Sequence, residues 1–150
     1  MAEQEYIFLK LEGVKGRATT DKFKDQLVLL NLSYDIKQGG KWEEGDKLSG
    51  RITTFSNLSC VKFIDAASPE LASACALKTQ YKEAVISVTA GTKEAYYKLT
   101  LERVIITSIS ITISGGEAEP QETVTLSFRK ATWAYGTAKG GYDLDTNAKV

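Results

Sequence analysis

The sequence predicts a mainly β protein: a β-barrel of two packed antiparallel sheets with one short α-helix on its flank. Three observations carry this. Apolar residues recur with the two-residue period of a half-buried strand, as where Val124, Leu126 and Phe128 alternate with Thr123, Thr125 and Ser127. Only the stretch KFIDAASPELASACA, residues 62–76, has the spacing and end signals of a helix. The 150 residues, 43% hydrophobic and 25% charged, suffice for a core without staples, since a domain of this size buries roughly 70% of its unfolded surface. Residues 1–150 are therefore expected to form a single domain.

The elements follow in order. YIFLKL (6–11) is a first strand, and Gly13 and Gly16 form the turn after it. QLVLLNLSYDI (26–36) is a longer strand whose apolar face is expected to hold Val28, Leu30 and Leu32. QGGKWEEGDKLSG (38–50) carries four glycines among alternating charges and is expected to be a long exposed loop. Residues 51–63 return to strand, anchored by Ile52, Phe55 and Leu58 and closed by Val61 and Phe63. In the helix, Ser68 is the expected N-cap and Pro69 suits the first turn because it has no N–H to satisfy. Glu70 meets the positive end of the dipole, and Leu71, Ala74 and Cys75 share one face.

AVISVT (84–89) is the next strand. The β-branched run 96–113 changes phase twice: Leu99 and Leu101, then Val104 and Ile106, then Ile109, Ile111 and Ile113. Such slips mark a bulge, a bend, or two strands meeting at a corner. After the polar loop 114–122 a last strand is expected to run on to Tyr135. From about residue 136 the tail loses periodicity and is expected to fray.

The residues offer little to catalysis. With 19 basic and 19 acidic residues the formal net charge is zero, which argues against nucleic-acid binding but permits dense packing against identical copies. There is no histidine, so Ser-His-Asp and Cys-His chemistry and the commonest metal ligand are absent. Cys60 and Cys75 are too few for a disulfide framework and are expected to be reduced and buried; Cys75, on the helix's apolar stripe, is expected to pack. The run from Gly40 to Lys47 imitates a phosphate loop, but Asp46 stands where lysine is needed, and a carboxylate there repels phosphate. Asp143, Asp145 and Asn147 imitate the opening of a calcium loop that lacks its glycine and its closing glutamate. No catalytic, metal or cofactor residues are expected, and the protein is not expected to be an enzyme. The N-terminus begins with acids and no apolar run reaches the ~20 residues of a membrane span, so cytoplasmic synthesis without a signal peptide and without membrane insertion is expected.

The segment LSCVKFIDAASPELASACA (58–76) resembles the central part of the Hcp family (hemolysin-coregulated proteins), tube-forming subunits of bacterial type VI secretion systems. There a strand ending in an aromatic-Ile-Asp triplet, here Phe63-Ile64-Asp65, passes through a Ser-Pro step into a short helix ending near Ala-Cys. FLKLEGVKGRAT (8–19) is similar to the family's opening strand and turn. YYKLTLERVIITSISITISGGEAEPQETVTLSF (96–128) resembles its long strand, Ser-Gly-Gly loop and following strand.

The resemblance implies a homohexameric ring, rings stacked into a hollow tube, and export by a contractile sheath working with spike and baseplate proteins. It also implies small effector proteins sheltered in the lumen. On that reading Gln38, Gly39, Gly40, Lys41, Trp42, Glu43 and Glu44 are expected to reach the next ring, with Trp42 as an apolar anchor. Ser114, Gly115, Gly116 and Glu117 form a loop facing the lumen or the ring surface. The alternatives are a stand-alone β-barrel binding module for a small ligand or glycan, or the tail-tube subunit of a phage-like particle.

Overall fold

The structure, a computed structural model, describes the chain apart from residues 1–4, 20, 39, 40, 44, 46, 50–52, 91–93, 117, 118, 147 and 150, with backbone alone at 5, 21, 41–43, 47–49 and 148. The first strand, β1 (Glu5–Leu11), is apolar on both faces because both are covered. Leu9 and Leu11 enter the main core, while Phe8 stacks on Phe23 of a 3₁₀ turn at Asp21–Phe23, ring centroids 4.5 Å apart. β1 lies between β2 (Leu27–Leu29) and β9 (Gln80–Ala90), antiparallel to each. The chain returns from β1 to β2 through Gly16, whose N–H donates to Asp25 O (2.7 Å). A Cβ there would fall 2.5 Å from Gln26 O, so this crossing of backbones admits glycine alone.

The spine is β10 (Tyr97–Thr112), 16 residues long. One side pairs with β9 as far as Ile105; the other pairs with β12 (Lys130–Tyr135) over 97–102 and then with β11 (Gln121–Ser127) over 105–112. Both phase slips predicted in this run are present within one strand. Arg103 adopts φ 55° between Leu101 and Val104, and the register shifts between Ile106 and Ser108. The strand expected to run on to Tyr135 is divided at Phe128 and Arg129, opposite the first slip, where the Arg129 N–H donates to Glu102 O (3.1 Å).

Beyond β11 lie β8 (Leu58–Phe63) and then β3 (Asn31–Ser33). The pairing path thus runs β2-β1-β9-β10-β11-β8-β3, and its two ends are joined in sequence by Leu30, whose N–H donates to Val61 O (2.6 Å). The result is the barrel-like β wrap predicted, with Ile86, Leu99, Leu101, Val104, Val124 and Leu126 in its core. The long strand expected over 26–36 is divided at Leu30 because its halves pair with different neighbours. Leu27 and Leu29 point inward in place of Val28, and Leu30 is 43% exposed. Likewise β8 turns Leu58, Cys60 and Lys62 inward, not Val61 and Phe63, after a break at Ser56 and Asn57.

The helix α1 (Ser68–Leu77) lies against β10 and buries Leu71 and Ala74. Full burial of the Leu71 side chain contributes ~1.5–3 kcal/mol, which a ten-residue helix needs in order to persist. It ends at Lys78 in the left-handed region (φ 56°), where the Lys78 and Thr79 N–H groups return to the carbonyls of Cys75 and Ala74. Ser68 is not the N-cap. Ala67 holds that position without a side-chain bond, and the Ser68 hydroxyl is turned inward. The tail does not fray after Gly136: β13 (Ala138–Asp143) pairs with β12, and β14 (Ala148–Lys149) with β13. Asp145 fastens it by pairing with Arg103 and with Arg129 Nε (2.8 Å).

Candidate assembly surfaces

β8 and β11 set Lys62 directly opposite Glu122 on the inward face. Lys62, 1% exposed, holds its Nζ 2.5 Å from Glu122 Oε1 and 3.1 Å from Asp65 Oδ1 and donates to Phe63 O (3.0 Å). The Ser68 hydroxyl donates to Glu122 Oε1 (2.7 Å) and accepts from the Asp65 N–H (2.9 Å); Asp65 Oδ1 accepts from the Ala67 N–H (2.9 Å). One cation and two carboxylates thus join the start of α1 to two strands. Sealed from solvent, the cluster is a joint of the fold and meets no solute. Residue reasoning missed it, although its signal was present: a charge continues the buried period on each strand, Lys62 after Leu58 and Cys60, Glu122 before Val124 and Leu126.

Cys60 is fully buried, and burial pushes its thiol up to about 12 from the ordinary 9.0, so no nucleophilic thiolate forms. Cys75 is half-buried against the core. Among the described residues no cluster of three or more His, Cys, Asp or Glu is placed to hold a metal. Asp143, in the stretch that imitates a calcium loop, accepts from the Asp145 N–H (2.8 Å).

Residues 38–50, expected as a loop, instead contribute to a β-arm. β4 (Ile36–Gln38) pairs with β7 (Thr53–Phe55), and β5 (Lys41–Glu43) pairs with β6 (Lys47–Ser49); neither ladder joins the main sheet. Paired backbone satisfies its polar groups without a core, which glycine and charge do not prevent. The root of the arm is fastened by Phe55, whose ring lies 5.6–6.0 Å from those of Phe128, Trp133 and Tyr142. Beside it the Trp133 Nε1–H donates to the Tyr34 hydroxyl (2.9 Å), which is 3.2 Å from the Tyr97 hydroxyl; burial, then that hydrogen bond, raises the Tyr97 pKa. Of the residues expected to reach the next ring, Gln38 is exposed in β4 and Lys41, Trp42 and Glu43 form β5. Gly39, Gly40 and Glu44 lie outside the described residues, as do the side chains of Lys41, Trp42 and Glu43.

The expected loop at Ser114, Gly115 and Gly116 is exposed, with Gly116 at φ 98°, and Glu117 lies outside the described residues. The loop is tied to the turn after β1 by Arg17, whose Nη1 is 2.8 Å from Glu119 Oε1 and whose guanidinium stands over the Phe63 ring at 5.3 Å. The sheet leading to it has two unusual features. Past Ile105, β10 pairs with β11 alone among the described strands, so 106–112 presents an open edge, and Ile111 and Ile113 beside it are 53% and 69% exposed. Its outer face carries rows of small uncharged groups: Ser108, Thr125, Ser59 and Ser33 in one, Ser110, Thr123, Val61 and Asn31 in the next.

A family model described as "Type VI secretion system effector, Hcp" matches residues 8–135. The chain belongs to the Hcp family.

The chain is 29% identical to Protein hcp1 of Pseudomonas aeruginosa, covering 96% of this chain and 98% of that one. The crystal structure of Hcp1 from Salmonella typhimurium superposes with a TM-score of 0.85 at 32% identity, covering 100% of each chain. That of Hcp2 from the same organism gives 0.71 at 28%, covering 95% and 98%. The Hcp match runs from within β1 to the last residue of β12, so it includes the arm and the open edge and stops short of β13. Hcp proteins belong to the type VI secretion apparatus, and among the described residues no helix is long and apolar enough to cross a membrane.

Proposed function

We propose that this Hcp protein is a structural subunit of the inner tube: six copies close a ring, and rings stack into a hollow conduit that carries effector proteins outward when the sheath contracts. Spike and baseplate proteins meet the ends of that conduit, and export needs no signal peptide. The observation that carries the reading is the open edge at 106–112 of β10 with its exposed isoleucines. An unpaired apolar edge is a liability in a monomer and a docking strand in an oligomer. The opposite border of the same layer is β3, which pairs only with β8 among the described strands. Two unlike edges on one layer favour head-to-tail joining, which closes into a ring when the rotation allows.

The arm is the inter-ring contact, through Gln38, Gly39, Gly40, Lys41, Trp42, Glu43 and Glu44, and Ser114, Gly115, Gly116 and Glu117 face the lumen or ring surface. No step of this work is catalytic. Size-exclusion with light scattering and negative-stain imaging test it. Wild type is expected as rings and the double variant Ile111→Lys/Ile113→Lys as folded monomers. A wild type that stays monomeric at high micromolar concentration, without rings in the micrographs, rejects the proposal.

A further inference from the structure

The outward face of one layer gathers lysines in rows. Leu9, Ile86, Leu99 and Trp133 are aligned across β1, β9, β10 and β12 and point toward the core, so their neighbours in sequence point out. Register then places Ser87, Lys98, Ala134 and Lys139 in one outward row. The next row begins at Lys10 and continues through Thr100 and Thr132. Neither row holds a carboxylate; acids return in the row after, at Glu83, Glu102 and Asp143. Lys10, Lys98 and Lys139 are exposed and have no carboxylate within ion-pair distance among the described residues. The side chains between them are small, with Ser87 buried and Thr100, Thr132 and Ala134 half-buried, so the face is low and uncharged between its lysines.

The basic character deepens at one end. Lys10 borders an open groove of about 770 Å³ between β1, the turn after it, residues 22–26 and β9, where five lysines meet three carboxylates. Lys15 and Lys24 of that groove are likewise without an ion pair among the described residues.

The spacing selects a ligand. Strands lie ~4.8 Å apart, with two steps from β1 to β10 and two more to β13, so the lysines recur every ~10–12 Å over about 20 Å. A compact anion reaches one of them at a time. An extended chain sets carboxylates of one face ~6.6 or ~13 Å apart. An α-helix returns to the same face every seven residues, ~10.5 Å along its axis, with a drift of only ~20°.

We propose that this face is a docking surface for an acidic α-helix of a different protein, laid across the strands with carboxylates two turns apart over at least fifteen residues. The helix's C-terminal end, the negative end of its dipole, lies at the Lys10 groove. A second copy of this chain does not supply such a helix: α1, the one α-helix among the described residues, has ten residues and one carboxylate, Glu70. The contact uses neither the open edge of β10 nor the arm, so it goes beyond the tube reading and stands apart from it.

A designed probe tests it. An alanine- and glutamine-based helical peptide of about 20 residues carries three glutamates seven residues apart. Its comparison has the same composition with the glutamates five residues apart, which turns them to three sides of the helix. Fluorescence anisotropy reads binding, and circular dichroism reports the fold of each variant. At about 0.1 M salt the first peptide is expected to bind at least about tenfold more tightly than the second. Its binding is expected to weaken at least about tenfold at about 1 M salt, as the screening length falls from ~10 to ~3 Å. The variant Lys10→Glu/Lys98→Glu/Lys139→Glu is expected to lose at least about tenfold in affinity. Lys37→Glu/Lys78→Glu/Lys149→Glu, which changes net charge equally elsewhere, is expected to stay within about threefold of wild type. No measurable binding of the first peptide, equal binding of the two peptides, or equal losses in the two triple variants overturns the proposal. Displacement of the peptide by inorganic tripolyphosphate as readily as by unlabelled peptide shows attraction of any anion, and overturns it too. If the first triple variant is unfolded, Lys98→Glu alone is judged against Lys37→Glu, with a loss of at least about threefold expected.

Discussion

Removing the ammonium of Lys62 is the sharpest perturbation of this fold. Lys62→Met keeps an unbranched side chain one atom shorter and deletes the charge that sits 2.5 Å from Glu122 and 3.1 Å from Asp65. Both carboxylates stay where they are, 1% and 5% exposed, beside Asp65 Oδ2, which already lacks a hydrogen-bond partner. Breaking a buried pair in this way costs about 3–5 kcal/mol, because a charge is left in a medium that solvates it poorly. Here two carboxylates lose their cation, which places the loss in the upper half of that range. At a urea slope of ~2 kcal/mol per molar, a loss of about 4 kcal/mol lowers the unfolding midpoint by about 2 M. The double variant Lys62→Met/Glu122→Leu removes both members of the closer pair and leaves one carboxylate, Asp65, without its cation instead of two, with Ser68 and the Phe63 carbonyl also short of a partner. It is therefore expected to be more stable than Lys62→Met alone. Equilibrium urea unfolding of both variants, at one protein concentration because assembly adds a concentration-dependent contribution, decides the matter. A Lys62→Met midpoint within about 0.5 M of wild type, or a double variant weaker than the single, refutes the reasoning.

Other expectations concern single positions. Gly16→Ala drives a methyl against the backbone of Gln26 and Leu27, which has no flexible end to yield, and is expected to lose about 2–3 kcal/mol in thermal or urea unfolding. The Cys60 thiol is raised from 9.0 to about 12, so the folded state keeps its proton where the unfolded chain gives it up. This contribution is whole below about pH 9 and lost toward pH 12 at about 1.4 kcal/mol per pH unit; Cys60→Val is expected to flatten that part of the wild-type stability profile. Phe55→Ala removes the ring that fastens the arm to Phe128, Trp133 and Tyr142. It is expected to cost about 3 kcal/mol and, in hydrogen exchange, to lower protection in β4 and β7 more than in β10.

Period and end signals made much of this fold legible. The slips at Leu101/Val104 and Ile106/Ile109 were readable because a buried face tolerates no change of phase without a local irregularity, and the strand has one at each: a left-handed Arg103 and a register shift between Ile106 and Ser108. The helix was readable from Ser68, Pro69 and its short apolar stripe, and Hcp membership from the order and spacing of FLKLEG, the FID triplet and the Ser-Gly-Gly loop. The misreadings share one cause: local pattern does not say what covers a face. In 26–36 the strand changes sheet partner at Leu30, which reverses the meaning of its alternation. Residues 38–50 looked too polar and too rich in glycine to be regular, yet within them β5 and β6 pair, and two backbones that pair with one another need no core. The tail seemed aperiodic because β13, with Gly140 and Gly141, draws on ladder bonds to β12 rather than on side chains.

The candidate surfaces divide in the same way. Sequence by itself determined the chemistry available: no histidine, too few cysteines for a framework, balanced charge, and an alternation that commits the chain to β structure with one helix. Only the tertiary structure decided that Lys62 and Glu122 meet inside the protein, that β10 outruns β9 and leaves an edge open, and that lysines from β1, the 3₁₀ turn and β9 border one groove. Side-chain period is a property of neighbours along the chain, whereas an open edge, a buried ion pair and a shared groove are properties of register between strands far apart in sequence.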